Sequence, residues 1–130
     1  MDVIEVASQR RRQLIDVTSF VQEAVAAAGV AEGLCHVAVP HTTAAVLLNE
    51  NADPAVGEDI LAALAAVLPA VPWRHGEGNS DAHVLSTLVG HSVTVPISGG
   101  ELALGRWQAI YLLELDGPRR RELWITCTGV

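Results

Sequence analysis

Ser92-Val93-Thr94-Val95-Pro96-Ile97-Ser98-Gly99-Gly100 is the stretch on which the fold class turns. Val93, Val95 and Ile97 alternate with Ser92, Thr94 and Pro96, the two-residue period of a strand with one face inward. Pro96 has no N–H to give to a ladder, so this strand belongs at an edge or a bulge. Ser98-Gly99-Gly100 then turns the chain into 101–104, and Gln108–Leu115 and Arg121–Thr128 follow as strands, with Asp116-Gly117-Pro118 as the turn between them. No helix interrupts these last forty residues.

Working back toward the N-terminus, residues 3–8 and 13–17 read as two strands with Arg10–Arg12 as a hairpin turn. Ser19 and Gln22 have the spacing of a capping box, Phe20, Val21, Ala24, Val25 and Ala28 repeat at helical spacing, and Gly29 supplies a stop. Strands at 34–39 and 44–48 are joined at Pro40-His41-Thr42-Thr43. Asp53-Pro54 opens a second helix, with Asp as N-cap and Pro in the first turn; Val56, Ile60, Leu64 and Val67 give it an apolar face and Pro69 ends the run. Residues 70–80 read as loop. A short helix over 81–89 follows, capped by Ser80, with Val84, Leu85 and Leu88 on one face and Gly90 at its end. About eight strands, two main helices and a short third, in an order that is not a βαβ alternation, predict an α+β domain over 1–130 with mostly antiparallel sheet.

Composition narrows the function. The 130 residues suffice for one core, and a chain that is 50% hydrophobic is not a disordered one. No apolar run reaches the roughly 18–20 residues needed to span a bilayer, and Met1–Glu5 lacks the charge pattern of a signal peptide. A cytoplasmic protein with no membrane partner is expected. A net charge of −7 argues against nucleic acid. The chain has no lysine, which excludes Schiff-base and P-loop lysine chemistry. Six arginines stand in two triplets, Arg10–Arg12 and Arg119–Arg121, suited either to bidentate anion contacts or to a solvated ion-pairing rim. Cys35 and Cys127 lie in β-prone runs without a CxxC and read as buried free thiols.

Candidate chemistry gathers around three histidines. His41 opens His41-Thr42-Thr43, while His75 and His83 bracket a segment holding Glu77, Asn79, Ser80 and Asp81 but little that is apolar. Imidazoles and carboxylates in such company are the material of a metal or acid–base site. No zinc-finger or HExxH spacing applies, so a metal would need ligands converging from separate elements, with Asp81 or Glu77 as fourth ligand or orienting partner. Gly76, Gly78 and the start of the short helix suggest an anion site to which Arg74 adds a bidentate contact; an ordinary capped helix after a glycine loop is the equal alternative. Glu50, in Asn49-Glu50-Asn51-Ala52-Asp53-Pro54, offers oxygen to a hard cation, whereas Asn51 and Asp53 suit backbone capping. Gln108 is a candidate ligand contact through its amide, and Trp107 is expected to pack.

His41-Thr42-Thr43-Ala44, the Asn49–Pro54 run and Arg74-His75-x-Glu77-Gly78-Asn79-x-Asp81-Ala82-His83 together resemble the YjbQ-like family. Ser92–Pro96, Leu102-Ala103-Leu104-Gly105-x-Trp107-Gln108 and Asp116–Arg121 continue the match in order over nearly everything after residue 30. The resemblance implies two packed sheets, an antiparallel β-sandwich, and a homotrimer built around its threefold axis. It also implies thiamine-phosphate synthase activity: an aminopyrimidine methyl diphosphate joins a thiazole phosphate and pyrophosphate leaves. Carried over, the family's histidines fall on His41, His75 and His83, with Glu50, Asn79 and Asp81 among the other motif residues. Val84-Leu85-Ser86 departs from the pattern, lacking the lysine that members often carry in the short helix. On this reading Arg74 and the amides at Ser80–Ala82 hold phosphate, with Thr42, Asn79 and Gln108 as further ligand contacts. Glu50 or Asp81 helps hold a divalent metal, zinc or magnesium, which the histidines ligate or serve as proton carriers. A metal-dependent hydrolase of a small phosphorylated molecule and a non-catalytic metal- or anion-binding trimer are the alternatives.

Overall fold

The computed structural model describes residues 1–130. In chain order the elements are β1 (Asp2–Ala7), β2 (Gln13–Asp16), α1 (Thr18–Ala28), β3 (Gly33–Ala38), β4 (Ala44–Glu50), α2 (Pro54–Ala66), α3 (Ser80–Val89), β5 (Ser92–Ser98), β6 (Glu101–Leu102), β7 (Gln108–Glu114) and β8 (Arg120–Gly129). All pairings are antiparallel. They build a five-stranded sheet in the order β1-β8-β3-β5-β6 and a three-stranded sheet in the order β2-β7-β4.

The α+β class and the strand count are as the sequence predicts. The main core lies between the sheets, where Val6, Val37, Val95, Leu123 and Ile125 of the large sheet meet Val46, Ile110 and Leu112 of the small one, with Val21 and Val25 of α1. A second core on the other face of the small sheet joins Ala45, Leu113 and Leu115 to Ala82 and Leu85 of α3, with Leu61 and Leu64 of α2 packed against it. The central strand β7 is therefore covered on both faces, which is why its sequence is a continuous apolar run without alternation.

Four local expectations are corrected. Arg10–Arg12 is not a hairpin turn, because β1 pairs with β8 in the large sheet and β2 with β7 in the small one. The segment is a crossover between sheets. The capping box at Ser19 does not form either: α1 begins at Thr18, whose N–H and hydroxyl both donate to Asp16 Oδ1 (3.0 and 2.6 Å), while Gln22 Oε1 accepts from the Leu102 N–H. A carboxylate two residues earlier outcompetes the hydroxyl. In the short helix the N-cap is Asn79 and Ser80 is already helical; Ala82, Leu85 and Ser86 face inward, and Leu88 is 65% exposed. Finally, Trp107 does not pack inside but lies half exposed, with the Arg106 guanidinium 4.7 Å from its ring centroid.

Other signals hold. Gly29 ends α1 at φ 67°, and Pro96 sits in β5, which is bordered on one side only by the two-residue β6. Asp53 caps α2 by accepting from the Ala55 N–H at 2.9 Å. Asp53→Ala is expected to lower stability by about 1 kcal/mol, read as a shifted urea midpoint at unchanged slope; an unchanged midpoint contradicts the capping role.

Candidate functional site

Three crossovers between the sheets meet at one end of the sandwich: residues 8–12 after β1, 39–43 after β3, and 115–119 after β7. A buried ion pair fastens them together. Glu114, fully buried at the end of β7, accepts from Arg121 Nε (2.9 and 3.1 Å) and Nη2 (2.5 Å). It also accepts from Ser8 Oγ (2.6 Å) and from the N–H groups of Leu115 and Asp116. Arg121 Nη2 reaches on to the carbonyl and the hydroxyl of Thr43 (3.0 and 2.9 Å). Gly117 is required where the turn presses on the first crossover, since a Cβ there would lie 2.2 Å from the Arg10 carbonyl oxygen.

Over this pair opens a cleft of ≈ 350 Å³ whose lining is polar apart from Pro40. His41, Thr42 and Thr43 come from the second crossover, Asn79 and His83 from the start of α3, and Arg119 and Arg121 from β8 and its approach. Asp116 ties two of these in place, accepting from Asn79 Nδ2 at 2.9 Å and Arg119 Nη2 at 3.0 Å. Ser86, buried on α3, donates to the Thr42 carbonyl at 2.7 Å and so docks the helix on the crossover.

The protonation of the cleft follows from this geometry. His41 Nε2 accepts the Glu122 N–H at 2.8 Å, so the neutral ring carries its proton on Nδ1. Burial, and then the charge of Arg121, hold its pKa below the ordinary 6.5, against weaker opposite pulls from Glu122 and Glu114. Burial alone would raise Glu114, but hydrogen bonds from Arg121, Ser8 and the Asp116 amide hold it below its ordinary 4.5. Asp116 is likewise lowered despite burial, by Asn79 and Arg119. Each arginine of the cleft thus has its compensating carboxylate close at hand, Glu114 fully buried and Asp116 half-buried nearer the surface. Arg121 Nη1 takes part in none of the pair's bonds. The buried Asn79 Oδ1 has no partner, an acceptor in want of an O–H or N–H.

Of the residues singled out in the sequence, His41, Thr42, Glu77, Asn79 and His83 share this cleft. His75 does not line it; its ring meets His83 edge-to-face, centroids 5.4 Å apart, in a neighbouring pocket that Arg74 and Ser80 also line. The Ala82 amide is already bonded to the Asn79 carbonyl, so it is not a free phosphate donor. Asp81 is taken up by Arg11 (3.1 Å) and Arg12 (2.5 Å). Glu50 and Gln108 are register partners at the far end of the small sheet, roughly 20 Å along β4 from Ala44 at 3.3 Å per residue. Gln108 Oε1 there accepts the Gly105 N–H, and the Glu50 carbonyl accepts the Tyr111 hydroxyl.

Tested against a metal, the donor set does not fit. His41 has one nitrogen occupied and Asp81 two arginine partners, and no three His, Cys, Asp or Glu side chains gather around a common point. Sequence reading missed Glu114 and Ser8, took Asp116 only as part of a turn, and singled out Arg121 only as one of a triplet. The available signal was a carboxylate inside the apolar run Leu112-Leu113-Glu114-Leu115, and an arginine in phase with inward-facing Leu123 and Ile125.

Residues 2–130 match the family described as UPF0047 protein YjbQ-like. The UPF0047 protein MJ1081 of Methanocaldococcus jannaschii is 43% identical over 127 residues, 96% of this chain and 91% of its own length. The UPF0047 protein YugU of Bacillus subtilis is 39% identical over 134 residues, 99% of both chains. Among solved structures, a YjbQ/UPF0047 protein of Clostridium acetobutylicum superposes with TM-score 0.95 at 42% identity, covering 98% of this chain and 100% of that one. A protein of unknown function from Sulfolobus solfataricus gives TM-score 0.93 at 35% identity, covering 99% and 96%.

The shifts fix a pH profile. Stabilisation from a lowered His41 is present above 6.5 and is lost as pH falls below it; that from Glu114 is present above 4.5 and is lost as pH falls through the folded value. The urea midpoint is expected to be flat from pH 8 to 7, to decline below 6.5 and to steepen below 4.5. Glu114→Gln leaves Arg121 buried without its countercharge and should cost about 3–5 kcal/mol at pH 7 while flattening the acid limb. Wild-type-like stability in that variant contradicts the assignment.

Proposed function

We propose that this chain, which belongs to the UPF0047 YjbQ-like family, binds the phosphate or diphosphate end of a small metabolite in the His41–Arg121 cleft and acts there as a transferase of the thiamine-phosphate synthase kind. The supporting observation is the cleft's lining, which brings the His41 Nδ1–H and the guanidinium groups of Arg119 and Arg121 together beside Thr42 and Thr43. Glu77 is the single carboxylate on its rim, and its side chain is 75% exposed. Such a site selects an acceptor-rich anion.

In the reaction that the family resemblance suggests, the carbon–oxygen bond between the aminopyrimidine methylene and its diphosphate breaks. The thiazole nitrogen bonds to that carbon, and pyrophosphate leaves. Negative charge then accumulates on the departing oxygens, where preorganised donors lower the barrier. Arg119, Arg121 and the neutral His41 supply them; His83, at the border with the neighbouring pocket, is placed to give or take a proton. Because the imidazoles do not form a ligand set, no step is routed through a metal.

The homotrimer belongs to the same proposal. No residue of α2 is fully buried, and Val67 at its C-terminus exposes apolar surface, as do Trp73 and Leu88 elsewhere, material for a subunit contact. Light scattering is expected to give about three times 13.7 kDa, and a monomer counts against it.

Isothermal titration with pyrophosphate should show saturable binding that Arg119→Ala weakens by about tenfold or more, the worth of a hydrogen bond to a charged group. The synthase assay should yield thiamine phosphate only with both precursors present. Phosphate release without the thiazole partner favours a hydrolase instead, and binding with neither activity leaves an anion-binding protein. No pyrophosphate binding overturns the reading.

A further inference from the structure

Ser80 and His75 lie outside the anion cleft, and with Glu77 of its rim they carry a further arrangement. Ser80 is the first residue of α3, and its hydroxyl lies 3.4 Å from His75 Nδ1. On the opposite side of the ring, His75 Nε2 is 3.7 Å from Glu77 Oε2. A hydroxyl, an imidazole and a carboxylate in this order are the parts of an activated serine, and apo sites of this kind often tighten only around substrate.

Two further observations give the trio a place to work. Ser80, His75 and His83 line a pocket of ≈ 390 Å³ whose remaining walls are Trp73, Val84 and Arg74. Trp73 and Val84 make one side apolar, in contrast to the mainly polar cleft beside it. The backbone N–H groups of Ser80 and Asp81 make no hydrogen bond, since the first engaged amides of α3 are those of Ala82 and His83. Adjacent free amides at a nucleophile are what an oxyanion needs.

We infer that Ser80, His75 and Glu77 form a nucleophilic site for small carboxylic esters whose acyl group lies against Trp73 and Val84. Ser80 Oγ attacks the carbonyl carbon as its proton passes to His75 Nδ1, and the amides of Ser80 and Asp81 receive the charge on the carbonyl oxygen. The carbon–oxygen bond to the alcohol breaks, and the alcohol leaves with the proton from His75. Water, deprotonated by His75, then attacks the acyl-serine, releasing the acid and restoring Ser80. The net change is ester plus water to acid plus alcohol. Glu77 orients the ring and offsets its transient positive charge.

This activity does not rest on anion binding in the neighbouring cleft, although Glu77 and His83 border both. A fluorophosphonate probe is expected to label the protein once, with the adduct mapped to Ser80 by peptide mass spectrometry. Hydrolysis of p-nitrophenyl butyrate should saturate, and kcat/KM should fall at least about 100-fold in Ser80→Ala and in His75→Gln, the lower range for losing a nucleophile or its base. His75 is on the surface, so His75→Gln keeps the test open if Ser80→Ala melts early. No label, a label elsewhere, or turnover that survives in Ser80→Ala but is lost in His75→Gln (catalysis by free imidazole) overturns the proposal.

Discussion

The bond between Glu114 and Arg121 is the constraint on which the rest depends. A carboxylate and a guanidinium are both withdrawn from water at the point where three crossovers pass between two sheets. Neither charge is tolerable there alone, because the desolvation of each is repaid only by the other and by a full set of hydrogen bonds. Ser8 supplies one such bond from the first crossover, Thr43 two from the second, and the amides of Leu115 and Asp116 two from the third. The pair therefore fixes the relative positions of segments far apart in sequence. An apolar core alone would do this less selectively, since hydrophobic contact has no direction.

The cleft inherits its character from that arrangement. Arg121 keeps Nη1 outside the pair's bonds while Glu114 balances its charge, and the same guanidinium helps hold His41 neutral. Asp116 repeats the device at the surface for Arg119 and Asn79. A chain that is acidic overall thus presents donors at one place, because its carboxylates there are already committed to those donors.

Much of the fold was legible because its rules are local. The alternation in Ser92–Ser98, the Asp53-Pro54 helix start and Gly29 each act within a few residues of where they are read. The assignment of Arg10–Arg12 failed because a hairpin and a crossover between sheets look alike until strand partners are known. Of the site, the region around His41, Asn79 and His83 was visible from its polar crowding. Asp81 and Gln108 read as candidates too, and in the fold their side chains bond Arg11, Arg12 and the Gly105 N–H, while Glu50 lies at the far end of the small sheet; none of these partners is visible from the sequence. Glu114 was overlooked because it sits in a strand whose remaining pattern is ordinary, and Arg121 stood out only as one of a triplet, since their meaning exists only as a pair.

Hydrogen exchange at the arginine side chains tests this account most directly. The protein holds eight arginines and no lysine, so its Nε–H signals form a small set in a spectrum of arginine-labelled protein. The Arg121 Nε–H, buried and shared between both oxygens of Glu114, should exchange far more slowly at neutral pH than the other seven. Eight Nε–H groups exchanging at one common, solvent-like rate would mean that the pair is open to water and does not hold the crossovers together.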